Sequence, residues 1–317
     1  MRNLILGSMV MVILTGAAAA AEVDSRGCAL PAPSGESEVV SNFPCVPEGL
    51  GPSDGEAALP PGVEVGTDLA YCKEFSQSRL GHHQLNNFPG FVTDGTNSAS
   101  IFATDFDPTA TTLYALNSDT KTWGTMNLTT AAFTVIGASV PSGAGHNNWS
   151  GLAIHPVTGV VYASAIAGVV NVPYGLYTIN PATGAATLIG QDAASMAMIA
   201  IAINCNGQLY GHDIITDSIY SINTSNGAVT LIGPTGVNSN FAQGMDFDNT
   251  TNELYAWTYL GSFVTRYGTI NLTTGALTTL TMNSSGEFQG AIKNVCNLLF
   301  KDGFEFGTTA AWSGVSP

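Results

Sequence analysis

Basic residues are scarce in this sequence. Of its 317 residues, 8 are Lys or Arg and 23 are Asp or Glu, and the formal net charge is −15. Proteins that bind nucleic acids or anionic membranes do so through clustered Lys and Arg, so neither is expected as a partner. No apolar run after the first 21 residues is long enough to cross a membrane as a helix. We therefore expect no membrane span in the mature chain.

The common catalytic and cofactor motifs are also absent. The sequence has no Gly-x-Ser-x-Gly, no Gly-Lys-Ser/Thr phosphate loop, no Gly-x-Gly-x-x-Gly after a strand and no His-Glu-x-x-His. None of its five cysteines forms a Cys-x-x-Cys pair, which argues against a cysteine zinc site. The sequence thus predicts no metal and no cofactor. An enzyme is disfavoured but remains open, since active sites are often assembled from distant segments.

The N-terminus has the features of an export signal. Met1 and Arg2 precede an apolar run over 4–15, and small residues fill 16–21. This pattern predicts a signal peptide over 1–21 and a secreted or periplasmic protein. Residues 22–66 are rich in Pro, Gly, Ser and Glu without helical or strand periodicity, which predicts an irregular segment.

An internal repeat is the strongest signal in the chain. From about residue 100, a small residue, an apolar strand, a polar turn and an aromatic strand recur five times. A second half-repeat, clearest at 176–190, consists of two strands joined by a turn that contains Thr-Gly or Asn-Gly. The aromatic markers of the first half-repeat are Tyr114, Tyr162, Tyr210, Tyr255 and Phe300.

Each unit therefore holds four short strands in about 45 residues, the size of one blade of a β-propeller. No segment of the repeat region shows helical periodicity, which excludes a βαβ fold. A β-sandwich would explain the strands but not the regular period. We predict an all-β propeller of five four-stranded antiparallel blades over 67–303. Its innermost strands are expected near 103–107, 151–155, 200–204, 244–248 and 290–294.

The fifth unit stops after two predicted strands, at Phe300. We therefore expect an N-terminal segment to complete the last blade and close the ring. The candidates are 69–72 and 90–93.

Residues 151–190 resemble the repeats of secreted bacterial β-propellers of the YVTN and kindred classes. The matching residues are Ile154-His155-Pro156, Val161-Tyr162, Leu176-Tyr177 and 187–190. The resemblance covers roughly 100–300 and implies the fold rather than a function, because propellers include enzymes, lectins and scaffolds. Residues 304–317, with Asp302 and Gly303 before them, resemble a short tail found on secreted Gram-negative proteins. That likeness also implies export.

In propellers, the loops that lead into the inner strands surround the axial opening. Three such loops here place an aromatic residue beside an amide, a combination suited to stacking on a sugar or another planar neutral ligand. Alternatively, the aromatic residues pack between blades. The candidate ligand-binding residues are His146, Asn148, Trp149, Phe241, Gln243, Phe288 and Gln289.

Two carboxylate pairs, Asp105 with Asp107 and Asp246 with Asp248, lie two residues apart on predicted strands. Such pairs hold calcium or share a proton in some proteins, and otherwise cap strand ends. The sequence favours a secreted binding or scaffold propeller with a neutral glycan or a protein as partner. The alternative is a secreted hydrolase or lyase that uses carboxylates at the propeller axis.

Export would allow the cysteines to form disulfides. Cys28 and Cys45 are close in sequence and are predicted to pair with each other. Cys72, in the proposed closing strand, is predicted to pair with Cys296. Cys205 is then expected to be a free, buried thiol.

Overall fold

The computed structural model describes residues 68–143, 145–167, 172–195, 197–241, 243–283 and 286–296. The predicted signal peptide, the irregular segment, the tail, Cys28 and Cys45 lie outside these residues. The described residues belong to one compact unit. Within them, no helix has the length and hydropathy needed to cross a membrane.

The described residues form twenty strands. They are β1 (Leu69–Glu74), β2 (Arg79–Gln84), β3 (Asn87–Thr96), β4 (Ile101–Phe106), β5 (Leu113–Asn117), β6 (Thr122–Met126), β7 (Phe133–Ala138), β8 (Asn148–Ile154), β9 (Val161–Ile166), β10 (Tyr174–Ile179), β11 (Ala186–Asp192), β12 (Met198–Ile203), β13 (Leu209–Asp213), β14 (Ser218–Ile222), β15 (Val229–Pro234), β16 (Gly244–Asp248), β17 (Glu253–Gly261), β18 (Val264–Ile270), β19 (Leu277–Asn283) and β20 (Phe288–Lys293).

These strands form five antiparallel four-stranded sheets, which we call blades. Blades 1 to 4 are β4–β7, β8–β11, β12–β15 and β16–β19, and blade 5 has the order β20-β1-β2-β3. The first strands β4, β8, β12, β16 and β20 contact one another in a closed ring. The chain is therefore a five-bladed β-propeller, as the repeat predicts. The predicted innermost strands are confirmed.

The repeat positions are equivalent in space. Tyr162 lies opposite Ala153 across β8 and β9, and Tyr210 lies opposite Ala202 across β12 and β13. Each inner strand contains a glycine or alanine that lets neighbouring blades approach closely. A Cβ added to Gly151, for example, would lie 2.9 Å from the backbone nitrogen of Ile201 in the next blade. The apolar core lies between the blades, in clusters such as Trp123 with Trp149.

The N-terminal segment closes the ring. β1 pairs with β20, with Tyr71 opposite Ala291, and β2 and β3 continue the blade outward. Both predicted closing segments thus belong to blade 5. One detail of the prediction was wrong: the second-strand position is taken by β1 and not by Leu299 and Phe300, which lie outside the described residues. Only one strand can pair with the outer edge of β20, and β1 occupies that edge.

The predicted pairing of Cys72 with Cys296 was also wrong. Cys205 is bonded to Cys296, with the two Cα atoms 5.8 Å apart. Cys72 is a free, buried thiol in the sheet of blade 5. Because β1 takes the place next to β20, the chain after Lys293 leaves the sheet. Cys205 lies in the turn after another inner strand, and in so narrow a ring these turns are close even in blades that are not neighbours.

Candidate functional site

The two ends of the propeller differ in character. The upper face is defined here as the end at which the inner strands begin. It carries the connections between blades and the hairpins between second and third strands. The turns of the opposite, lower face are short and polar, and their side chains cap backbone groups. In one of these turns, Asn180 Oδ1 accepts a hydrogen bond of 2.9 Å from the Ala182 nitrogen.

Exposed apolar loop residues lie mainly on the upper face. Among the described residues, the exposed large hydrophobic side chains that lie in loops are four on the upper face and one, Val160, on the lower face. Irregular loops on a rigid scaffold are where binding residues concentrate. The four residues of the upper face are Val140, Ile215, Phe241 and Phe263.

Two of the three aromatic residues that were predicted to bind a ligand are buried. Trp149 is 2% exposed, and its Nε1 donates a hydrogen bond of 2.8 Å to the Ser139 carbonyl oxygen. Phe288 is fully buried and packs edge-on against Phe88, with ring centroids 5.0 Å apart. Both side chains fill space between blades. Replacing Trp149 by Ala would therefore test stability rather than ligand contact.

The predicted polar residue His146 is buried in blade 2. Its Nδ1 lies 2.6 Å from the Tyr177 hydroxyl and its Nε2 lies 2.8 Å from the Pro173 carbonyl oxygen. A carbonyl oxygen only accepts, so the proton is on Nε2 and the Tyr177 hydroxyl donates to Nδ1. Asn148 is half-buried and its amide donates to Asn147 Oδ1. His146 therefore orders its loop from within the blade.

The predicted aromatic residue Phe241 is 49% exposed on the upper face of blade 4. Phe263, in the hairpin between β17 and β18 of the same blade, is 44% exposed and was not among the candidates. Tyr259 joins the two segments: its carbonyl oxygen accepts from the Asn240 nitrogen, and its hydroxyl accepts from the Phe263 nitrogen at 3.3 Å. We call Phe241, Tyr259 and Phe263 the aromatic rim.

The backbone beneath Phe263 is strained. Gly261 pairs with Val264, so Ser262 and Phe263 form a two-residue hairpin turn, with φ of 51° and 65°. A turn with two positive φ angles normally carries Asn-Gly or Asp-Gly, because a side chain is unfavourable there. Strain of this kind clusters at functional sites. This mismatch between turn and residue type was the one sequence signal that could have identified Phe263.

Gln243 and Gln289 lie deeper, at the upper end of the axis. Both side chains are buried, and both residues are among those that line a small axial cavity, as is Thr104. The cavity has a volume of about 10 Å³, which is enough for a single small species of about the size of a water molecule. The rest of the lining is backbone and small or aliphatic side chains of the inner strands.

The two members of each carboxylate pair have different structural roles. Asp105 is buried and accepts hydrogen bonds from the Phe106 nitrogen and from the Ile154 nitrogen of the next blade. Asp246 bonds in the same way to the nitrogen of Ile292 in blade 5, at 2.6 Å. Both carboxylates therefore fasten neighbouring inner strands together. Burial raises the pKa of both, and the charge of Asp246 raises that of Asp105 further.

The second members of the pairs, Asp107 and Asp248, cap lower-face turns. Asp107 Oδ1 accepts from the Thr111 nitrogen at 2.8 Å, and Asp248 Oδ1 accepts from the Thr250 nitrogen at 2.9 Å. In the described part of the chain, no group of three or more His, Cys, Asp or Glu residues is arranged to hold a metal ion.

A further ionisable group lies at the upper end of blade 5. Burial lowers the pKa of Lys73 to about 8, although Glu74 and Glu287 oppose this shift. Burial, with the charge of Glu74, raises the pKa of Glu287 to about 7. Glu74 is itself engaged by Arg79 at 3.1 Å. An acid and a base shifted toward neutrality are a common feature of catalytic sites.

Comparisons with known proteins add little to this picture. No protein-family model matches the sequence, and no curated protein matches it. Among solved structures, the chain is similar to TolB from Acinetobacter baumannii, with 13% identity, a TM-score of 0.45, and coverage of 72% of this chain and 66% of that one.

Two further solved structures are also similar. A chain of the nidogen/laminin complex has 10% identity and a TM-score of 0.44, with coverage of 73% of this chain and 100% of that one. The PQQ-bound aldose sugar dehydrogenase from Streptomyces coelicolor has 16% identity and a TM-score of 0.39, with coverage of 57% and 62%. Because all three TM-scores are below 0.5, we draw no functional conclusion from them.

Proposed function

We propose that this chain is an exported binding protein that recognises a neutral glycan through the aromatic rim on the upper face of its propeller. The observation that carries the proposal is the exposure of Phe241 and Phe263 beside the half-buried Tyr259. Aromatic faces stack on the apolar faces of sugar rings, and amide and hydroxyl groups nearby bond to sugar hydroxyls. Asn240, next to Phe241, supplies such an amide.

Export is the second part of the proposal. It is supported by the signal-like N-terminus and by the disulfide between Cys205 and Cys296, since stable disulfides are typical of extracytoplasmic compartments. The C-terminal tail resembles tails of other exported proteins. Edman sequencing of the exported protein should begin after residue 21.

A glycan array with the purified mature protein tests the binding function. We expect one group of neutral glycans to bind, and Phe241→Ala to weaken that binding about tenfold or more, the loss typical of a central interface aromatic. Leu231→Ala is the matched control, because Leu231 is at least as exposed as Phe241 but lies on the outer strand β15. Its affinity should equal that of the wild type.

Two outcomes would overturn the glycan assignment. One is an array without binding, and the other is glycan binding that Phe241→Ala and Leu231→Ala affect equally. If a protein partner binds instead and its binding depends on Phe241, the upper face is a protein-binding surface.

A hydrolase or lyase is the second candidate function. The observation in its favour is the pair Lys73 and Glu287, because both have pKa values displaced toward neutrality at the upper end of blade 5. If the protein cleaves a glycan that it binds, Glu287→Gln should abolish turnover and leave binding in place. Turnover that survives in Glu287→Gln would exclude this pair as the catalytic acid and base.

A further inference from the structure

Gln243 joins the two chain segments that form the aromatic rim. Its side chain is buried, and its Nε2 donates hydrogen bonds to the carbonyl oxygens of Asn240 and Tyr259, the latter at 3.2 Å. Asn240 belongs to the loop before β16, whereas Tyr259 lies on β17. One buried amide therefore bridges the loop that carries Phe241 and the strand that leads to Phe263.

The residue type at position 243 suits this bridge. A carbonyl oxygen can only accept a hydrogen bond, so both bonds require the amide nitrogen of Gln243. That nitrogen has two hydrogens, one for each carbonyl oxygen. An ionised carboxylate of the same length has no donor, and an apolar side chain would leave both carbonyl oxygens without this partner.

The two segments also contact each other directly beside this amide. The backbone nitrogen of Asn240 donates to the Tyr259 carbonyl oxygen at 2.7 Å, so this oxygen accepts two hydrogen bonds. A Cβ added to Gly261 would lie 3.5 Å from Asn240 Nδ2. The Tyr259 hydroxyl in turn accepts from the Phe263 nitrogen. Both exposed aromatic residues are thus next to groups that Tyr259 holds.

Phe241 is held mainly through its backbone, since about half of its ring is exposed to solvent. Its nitrogen donates to Asn240 Oδ1 at 2.8 Å. Towards blade 3 the loop is fixed by the Ser239 nitrogen, which donates to Asp217 Oδ1 at 2.7 Å. Towards blade 4 it is fixed by Gln243. The direction of the Phe241 ring therefore depends on these two attachments.

We propose that Gln243 is a positioning residue of the glycan-binding site, which holds Asn240 and Tyr259 together so that Phe241 and Phe263 present a preformed surface. Groups that are already in place lose less conformational entropy when a ligand binds, and this raises the affinity. The inference rests on the proposed glycan-binding function. In this role Gln243 does not contact the glycan but acts through the aromatic rim.

Three variants test the proposal. Gln243→Met removes both hydrogen bonds with little change in side-chain length, and Gln243→Leu keeps the test valid if the Met side chain does not fit. Gln289→Met is the matched control, because Gln289 is also buried and lines the axial cavity. Its Nε2 donates to the carbonyl oxygen of Phe102 in blade 1 and not to the rim. Thermal unfolding identifies the variants that are folded.

The first measurement needs no glycan. It is the rate of hydrogen exchange at the backbone amide of Asn240, which is bonded to Tyr259. We expect exchange to be about tenfold faster in Gln243→Met than in the wild type and in Gln289→Met, because two neighbouring hydrogen bonds are lost. An unchanged rate would overturn the proposal. So would an equal increase in Gln289→Met, since this would indicate a general loss of stability.

The second measurement is a double-mutant cycle with the neutral glycan that gives the strongest signal on the array. Gln243→Met should weaken its binding about tenfold, whereas Gln289→Met should not. In the Phe241→Ala background, Gln243→Met should add little, because it acts through the same ring. Additive losses would overturn the proposal. If the wild type binds no glycan, the proposed function fails, and the exchange rates alone decide whether Gln243 orders the rim.

Discussion

Gly137, near the end of the outer strand of blade 1, lies directly against the carbonyl oxygen of Thr183 in a turn of blade 2. A Cβ on Gly137 would come within 3.0 Å of that oxygen, closer than side-chain carbons approach in folded proteins. The same contact recurs between Gly190 and Asn226 and between Gly233 and Thr274. The Ile-Gly ending of these three outer strands and the Thr-Gly or Asn-Gly turn of the next blade are therefore two halves of one junction.

Gly137→Ala should destabilise the protein by about 2 kcal/mol or more, because an extra methyl group forces packed backbone apart. The measurement is the free energy of unfolding from chemical denaturation. Gly236→Ala is the control: Gly236 has φ of +79° but no atom within 4 Å of its missing Cβ. That change should lower the free energy of unfolding by only about 1 kcal/mol, because alanine is less favourable than glycine in the left-handed region of backbone conformation. Equal losses in the two variants would show that the junction is not tightly packed.

Phe263→Gly should stabilise the fold by about 0.5–1 kcal/mol and weaken glycan binding. The gain comes from placing Gly at φ of 65°, where a side chain costs about 1–2 kcal/mol, less the chain entropy of Gly. Asn252→Gly changes another residue with positive φ, on the lower face, and should leave binding unchanged. A Phe263→Gly protein that is less stable than the wild type would show that Phe263 supports the fold.

Reduction of the disulfide should lower the free energy of unfolding by about 2–4 kcal/mol, since the bridge restricts a long loop of the unfolded chain. The two cysteines are 91 residues apart in sequence. Peptide mapping without reduction should show Cys205 crosslinked to Cys296. Cys72 should react with thiol reagents only after unfolding, because it is buried and burial raises its pKa well above the usual range. A peptide in which Cys72 is crosslinked to Cys296 would contradict this connectivity.

The contribution of His83 to stability should fall as the pH drops from about 6.5 toward 4. His83 donates from Nδ1 to the Gln84 carbonyl oxygen and accepts at Nε2 from Trp257 Nε1, 3.0 Å away. A second proton would displace the indole, and burial lowers the pKa of His83 to about 4. The unfolded state, with a His pKa near 6.5, therefore binds more protons across this window.

The expected loss from His83 is up to about 3 kcal/mol between pH 7 and pH 4. Unfolding free energies of the wild type and His83→Gln at these two pH values measure it. Relative to His83→Gln, the wild type should lose this amount between the two pH values. His212, whose pKa is also lowered to about 4 by burial, acts in the same direction in both proteins, whereas the raised pKa values of Asp246 and Glu287 act in the opposite direction in both. An unchanged pH dependence in His83→Gln would mean that His83 is protonated without cost in the folded state.

The fold could be predicted from the sequence because β-strands and turns follow local sequence rules. Alternating apolar residues, a glycine or asparagine at each tight turn and an aromatic marker every 45–48 residues depend only on neighbours along the chain. They predicted the five inner strands and the closure of the ring by an N-terminal segment, with 69–72 and 90–93 as the candidates; the structure has Leu69–Glu74 beside β20. The sequence also predicted individual turn positions, such as Gly184, which has φ of +78°.

The exposure of individual side chains was decided only by the tertiary structure. Trp149 and Phe288 each lie two residues before a glycine of an inner strand and are buried between blades, whereas Phe241 lies three residues before Gly244 and is open to solvent. The depth of burial of such side chains depends on what the neighbouring blade packs against them. Cys205 and Cys296 likewise meet because a five-bladed ring is narrow enough for the turns of blades 3 and 5 to touch. Sequence periodicity carries no information about such contacts, since it describes each repeat without the ring around it.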